Sequence, residues 1–464
     1  RYIYIISGLI SALSLVALLK YPGQGHIYVL FTVLANTLLY FGFRRNAIFF
    51  DTFIGIFFWL GFWLKLTIRV AFMDGQFHEA VGNFDGSGAA FDRALLVTSC
   101  GFLGLLAASL IREKYVFTYP VKLSATTQEG LLNFYQNYRM VVLIGFAVLI
   151  STVAITNLYF GIYQRGAIPR TVLPYGLSGI YSWLLLFGLA SFSALILSFE
   201  FTLNKKTSYP VAILSLLEGF LTNVSLLSRG MILNTSALVY GVIRSLKINS
   251  IRSSYRFLDT SFLIFILLFG SSVILVDHLR LRGFSVNLDS SIDLGAISRG
   301  TKVLFLDRWV GIEGVMAVSS YPEQGWALWN EAWKESYSKK IGFYDTNLIS
   351  SPYRHTDMTK HHHISLPGIM AFCFYPGSFP FLFGCMFILG AIAAAIEISV
   401  FKLGGGNIIL CALLAQVVAY RFAHFGYLPS QSYLLFGALF LNLFIIYFSN
   451  KFLLYWNDRK ASML

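Results

Sequence analysis

The sequence predicts an all-α polytopic integral membrane protein with about twelve transmembrane helices, and three observations predict it. Hydrophobic residues fill 56% of the 464 positions and charged residues only 12%, with a mean hydropathy of +0.67, far outside the soluble globular range. Apolar runs long enough for a helical crossing, roughly 20 residues for ~30 Å of hydrocarbon, recur along the whole chain. Basic residues gather in the short loops between alternate runs. A formal net charge of +13 would suggest nucleic acid in a soluble protein; here much of it acts as an orientation signal, so no nucleic-acid partner is expected.

The first four spans fall near 3–19, 27–43, 47–66 and 94–111. The chain opens at Arg1, and because its first apolar run lacks a small-residue cleavage site it reads as a span. Arg44-Arg45 follows the second span, and the loop from Arg112 to Arg139 follows the fourth, which makes those loops and the N-terminus cytoplasmic. Spans near 140–160 and 177–200 enclose an outer loop, 161–176, and return to Lys205-Lys206. The seventh and eighth, near 209–227 and 231–245, hinge at Ser228-Arg229-Gly230 and end on the basic run Arg244, Lys247, Arg252, Arg256. The ninth, near 259–276, leads out to the large loop 277–365; spans near 378–400, 407–424 and 430–449 bring the C-terminus inside beside Lys451, Arg459 and Lys460. All short basic loops lie on one side, which requires an even number of spans. Residues 1–464 thus form a single transmembrane domain, with 277–365 as an extracytoplasmic lid within it. No internal repeat is present. Cys100, Cys373, Cys385 and Cys411 lie in or beside apolar segments without paired spacing and read as core residues.

Within the large loop, Trp326, Trp329 and Trp333 share one face of a short helix, suited either to the membrane–water interface or to ordinary packing under the loop. Leu366-Pro367-Gly368 and Tyr375-Pro376-Gly377 break the chain just before the tenth span. Broken backbone at that depth is tolerated where protein or a water-filled cavity covers it, which implies a cavity at the outer leaflet.

Cations in outer loops run against the orientation signal and are the informative ones. Arg165 and Arg170 occupy a short outer loop with no acidic residue, and a guanidinium fork matches phosphate oxygens; lipid headgroups or a carboxylate from the large loop are the alternative partners. Arg229 stands at the turn between two spans. Glu218, eleven positions earlier, is an ionisable residue inside a span, placed there either for function or for a structural ion pair. Asp51 reads as a helix-start residue. In the large loop, Arg354, His355, Asp357, His361, His362 and His363 crowd together. Three consecutive histidines diverge and no ligand pair stands at i,i+4, so no metal is expected. His363 is the first candidate for a general base, then His355 and Asp357, with plain solvation the alternative for each. Arg421 and His424, three apart, are expected on one face lining the same cavity.

With its short arginine-bearing outer loop and one large outer loop in the C-terminal half, the chain resembles the bacterial oligosaccharide repeat-unit polymerases, the Wzy or O-antigen polymerase family. Arg165 and Gly176 repeat that family's spacing of an Arg, ten residues and a Gly; Ser228-Arg229-Gly230 and Arg308-Trp-Val-Gly-Ile-Glu-Gly314 are also similar, whereas no large-loop arginine has a Gly eleven positions on. The resemblance implies a GT-C-like polymerase/ligase architecture in the bacterial inner membrane. It also implies transfer of a growing glycan from undecaprenyl diphosphate to the sugar hydroxyl of an incoming lipid-linked repeat unit at the periplasmic face. Arg165, Arg170, Arg229, Arg308 and Arg354 would then hold the diphosphate, His363, His355 or Asp357 would act in catalysis, and Gly176, Glu218, Arg421 and His424 would line the cavity. No cofactor is implied. Expected partners are the undecaprenyl-diphosphate-linked oligosaccharide, membrane lipids, a chain-length regulator and a flippase. An O-antigen ligase passing the same donor to lipid A-core has a similar expected layout, and a lipid-linked-oligosaccharide flippase or transporter is the non-enzyme alternative.

Overall fold

A computed structural model describes residues 2–120, 128–166, 168–204, 208–248, 255–284, 306–336, 342–351 and 364–463. Helices occupy every predicted span position, and no strand occurs among the described residues. In chain order they are α1 (Tyr2–Lys20), α2 (Gly25–Phe43), α3 (Phe49–Phe72), α4 (Gly88–Tyr115), α5 (Glu129–Phe160), α6 (Pro174–Asn204), α7 (Tyr209–Ser225), α8 (Ile232–Ile248) and α9 (Tyr255–Phe284). Two short helices lie in the large loop, α10 (Ile312–Ser319) and α11 (Trp326–Trp333), a third, α12 (Ile369–Cys373), follows it, and then come α13 (Phe379–Leu403), α14 (Ile408–Ala423) and α15 (Ser432–Met463). Among the described residues, 8 helices are long and apolar enough to cross a membrane: α2 to α6, α9, α13 and α15.

α14 is the axis of the bundle, with α3, α6, α8 and α13 packed around it. Ile409, Leu410, Cys411, Ala412, Leu413 and Leu414 are all fully buried, as an all-round apolar helix must be. Its start is fixed by Asn407, whose side chain accepts from the backbone N–H groups of Ile409 and Leu410 at 3.0 Å, and Gly241 lets α8 approach Ile409 and Ala412 closely. The end of the bundle away from the large loop is tied by buried carboxylates. Glu397 on α13 accepts from the N–H groups of Phe49 and Phe50, both at 2.8 Å, so it satisfies the N-terminus of α3. Asp51, in the first turn of α3 as expected of a helix-start residue, pairs with Arg112 at 2.6 Å.

The expected span ends move where polar side chains find protein partners. α5 is kinked at Tyr138, just before the expected start near 140, and a further helical stretch from Glu129 precedes the kink, where Tyr135 and Arg139 both bind Glu200 at 2.7 Å. α3 runs to Phe72 rather than ending near 66, and its last turns carry two buried cations, Lys65 and Arg69. A π-helical stretch, Trp59–Leu64, lies just before them. These residues receive the large loop.

Candidate functional site

The segment from Asp307 to Gly314 docks on α3 through Asp307, Trp309, Val310 and Glu313. Lys65 Nζ donates to the Asp307 carbonyl at 3.1 Å, the Trp309 carbonyl at 2.6 Å and the Glu313 carboxylate at 2.8 Å. One turn on, Arg69 pairs with the Asp307 carboxylate. Trp309 stacks on Phe57, and a Cβ at Gly61 would lie 2.4 Å from the Val310 carbonyl, so the π-helical stretch of α3 and the loop meet backbone to backbone. Gly314 meets the Pro367 carbonyl more closely still. Pro367 also packs on Gly426, and the Gly368 N–H donates to the Phe425 carbonyl at 3.0 Å, so the break at 366–368 is covered by protein.

This docking aims Arg308 at a cluster of guanidinium groups. Arg229, at the turn between α7 and α8, pairs with Asp277 near the end of α9. Arg280, one turn beyond Asp277, donates to the Arg165 carbonyl at 3.2 Å. The nearest atoms of Arg308 and Arg165 stand 3.4 and 3.5 Å from where a Cβ on Gly230 would be, so the bare glycine leaves a gap between them. Burial, then Arg308 and Arg280, push Arg229 down to about 10. Burial likewise lowers Arg308, with Arg165 adding to the effect and Tyr420 opposing it. Among the described residues, Arg165, Arg280 and Arg308 form no ion pair, and Asp277 is the carboxylate that pairs within the cluster. Concentrated, half-desolvated positive charge of this kind favours a multivalent anion.

Tyr420 and His424, at the end of α14, form the adjoining wall. Their rings stack with centroids 4.0 Å apart, and Arg165 lies over the Tyr420 ring at 5.8 Å. Burial, together with Arg308, Arg165 and Lys65, lowers His424 to about 3 despite the opposing Tyr420 carbonyl. The imidazole is therefore neutral near pH 7. Its Nδ1 lies 3.2 Å from the Tyr420 carbonyl, and the tautomer that donates there leaves Nε2 as a proton acceptor. A polar cavity of about 300 Å³, at the small end of the ligand-pocket range, adjoins Arg308 and is lined by Lys65, Glu79, Glu313 and Tyr344.

The other sequence candidates are distributed elsewhere. Arg170 is exposed and reaches back to the Leu158 carbonyl at the end of α5. Gly176 is exposed at a left-handed turn with φ of 76°, so the Arg165–Gly176 spacing does not place both residues at the cluster. Glu218 is buried in α7 and accepts from Thr222 at 3.1 Å. Arg421 donates to Ser432 at 2.9 Å and lies over Phe425, whereas His424, just past the end of α14, stacks on Tyr420, so the two have different partners. Arg354, His355, Asp357, His361, His362 and His363 lie outside the described residues. The tryptophans do share a face, packed on Phe372 and Phe381 with Trp326 still 58% exposed.

Sequence reasoning passed over Lys65, Arg69, Arg280, Asp277 and Tyr420 as site residues. A signal existed for the first two, because cations four apart inside an apolar run share a helix face and mark an interior partner. No family model, curated protein or solved structure matches this chain.

Proposed function

We propose that this protein is a bacterial inner-membrane glycosyltransferase with twelve crossings and a GT-C-like architecture, polymerising lipid-linked oligosaccharide repeat units on its outward face. The donor is a glycan on undecaprenyl diphosphate and the acceptor is a sugar hydroxyl of a second lipid-linked unit. What carries the reading is the pair Arg165 and Arg308 at the gap beside Gly230, with Arg280 on the Arg165 carbonyl, all three without ion pairs among the described residues and beneath a docked loop. In the reaction the anomeric C–O bond to the diphosphate breaks while the acceptor oxygen bonds to the anomeric carbon. The departing lipid diphosphate gains negative charge, and fixed donors at such a position are worth about 3–4 kcal/mol each. The hydroxyl proton passes to a base, for which His424 is the described candidate and His363, outside the described residues, the other. A bound diphosphate offsets the arginine field that depresses His424, so the imidazole becomes a better base when substrate is present.

The test is reconstitution of the full chain with purified lipid-linked repeat unit and gel analysis of the product. A ladder of chain lengths is expected, and Arg165→Ala, Arg280→Ala and Arg308→Ala should each slow its formation about 100-fold or more. Unchanged ladders from all three variants would sink the reading. Product formed only after lipid A-core is added identifies a ligase instead, and movement of the lipid-linked unit across the vesicle without product identifies a flippase.

A further inference from the structure

We propose that a groove between α7, α8 and α9 holds the long polyisoprenyl chain of the lipid diphosphate whose headgroup the arginines take, an inference that rests on the diphosphate reading above. The wider part of the groove is a cavity of about 320 Å³ with apolar walls, among them Val211 and Leu216 on α7, Leu238 and Val242 on α8, and Phe262 on α9. A narrow section of about 10 Å³ continues it past Phe220, Ile232 and Phe269, and the two sections share Leu216, Thr235 and Phe265. The narrow section ends at the hydrogen bond from Asn223 to Ser272, 2.7 Å long. Six positions beyond Asn223 stands Arg229 and five beyond Ser272 stands Asp277, the ion pair of the cluster. The two sections therefore run toward the guanidinium groups and stop at the Asn223–Ser272 hydrogen bond, short of the Arg229–Asp277 pair.

Three features select the occupant. Phe262 both lines the groove and is 60% exposed, beside the exposed Leu263, Ile266 and Leu267, so the groove meets the bilayer along this edge helix. The groove is also long. Its lining on α9 runs from Phe257 to Ser272, about 22 Å along a helix, whereas an acyl chain of a bilayer lipid fills about half of the ~30 Å hydrocarbon core. The headgroup end carries four arginines against Asp277 among the described residues, an excess that fits a diphosphate better than the single charge of a phosphodiester. A chain entering the narrow section displaces the Phe265 and Phe269 rings, which stack on each other along α9.

The test uses the full chain in lipid nanodiscs and a long-chain polyprenyl diphosphate, free of sugar, bearing a photoactivatable diazirine near its far end. Cross-links should map to peptides around Val239–Ile243 and Phe257–Phe265, and Val239→Trp and Ser215→Trp, which fill the cavity from two helices, should each reduce them at least fivefold. Arg165→Ala and Arg308→Ala should also reduce them, because the headgroup is no longer held. Groove labelling indifferent to both arginine variants breaks the link to the diphosphate and overturns the proposal. So does equal labelling by phosphatidylglycerol with the same diazirine in its acyl chain, which makes the groove a site for bulk lipid. If the groove stays unlabelled while a short-chain diazirine prenyl diphosphate still cross-links near Arg229 in an arginine-dependent way, the chain groove fails and the diphosphate reading stands. Loss of that short-chain cross-link as well is failure of the diphosphate reading itself.

Discussion

A missing side chain at position 230 leaves open the space into which Arg165 and Arg308 both point. A methyl group there would meet the two guanidiniums at 3.4 and 3.5 Å, ordinary contact distances, whereas a branched side chain would occupy the gap between them. Gly230→Ala should thus insert and pack normally with modest loss of polymer, while Gly230→Val should lose most of it with thermal stability little changed; equal ladders from the two variants would remove the gap from the site. His424 allows a prediction of a different kind. With its folded pKa lowered to about 3 against an ordinary 6.5, the unfolded chain binds the proton more readily between those values, so stability is present above about pH 6.5 and is lost as the pH falls toward 3. The loss should approach about 1.4 kcal/mol per pH unit in that window. Melting temperatures in detergent should decline from pH 7 to pH 5 in the natural chain and decline less in His424→Asn. Parallel slopes in the two proteins would mean that other groups set the acid sensitivity.

Among the elements, the join between α3 and the large loop decides whether Arg308 is presented at all. Lys65 and Glu313 neutralise each other in a buried setting, and removing one partner from such a pair typically costs about 3–5 kcal/mol, mostly because the other is left buried and unpaired. Lys65→Met should accordingly lower stability by that order, and adding Glu313→Gln should restore much of it, as read by thermal unfolding of the two variants side by side. Gly61→Ala should separate the loop from α3 by a different route, since its Cβ would lie 2.4 Å from the Val310 carbonyl. The expected result is intact α3 with faster proteolysis between Asp307 and Gly314; unchanged protease resistance would show that the close backbone contact is dispensable. This join also marks where sequence reasoning succeeded and where it stopped. Apolar periodicity located the helices because burial in hydrocarbon or protein imposes one rule along each run. Setting the third span to end near residue 66 split Lys65 from Arg69 and hid their common face. Asp277 and Arg280 looked like the polar start of a loop because nothing local reveals that α9 continues to Phe284 and turns both residues toward Arg229 and Arg165. Arg165 and Gly176 have a regular spacing, yet Arg165 lies at the cluster while Gly176 is exposed with no atom near its Cβ position.

Across the molecule, charge is sorted between the two ends of the bundle. The end bearing the large loop gathers Arg165, Arg229, Arg280 and Arg308 around a ligand-sized gap, whereas the other end carries short basic segments such as Arg44-Arg45 and the carboxylate ties at Glu397, Asp51 and Glu200. If the short basic segments are cytoplasmic, as the positive-inside rule requires, α1, α7, α8 and α14 must cross as well, although α7, α8 and α14 are only 17, 17 and 16 residues long. Helices of that length reach about 24–26 Å at 1.5 Å per residue, short of ~30 Å of hydrocarbon, and a buried position inside a bundle relieves them of spanning lipid alone. α14 is the clearest case, being enclosed by α3, α6, α8 and α13. The sidedness is testable by single cysteines in a chain freed of its four natural ones. Substitutions at Asp85, Tyr175 and Glu323 should react with a membrane-impermeant maleimide added to intact spheroplasts, and substitutions at Arg45, Lys247 and Lys402 should react only after the membrane is opened. Labelling of Lys247→Cys from outside, with Tyr175→Cys protected, would reverse the chain in the membrane and put the arginine cluster on the side where glycan polymerisation cannot draw on flipped, lipid-linked units.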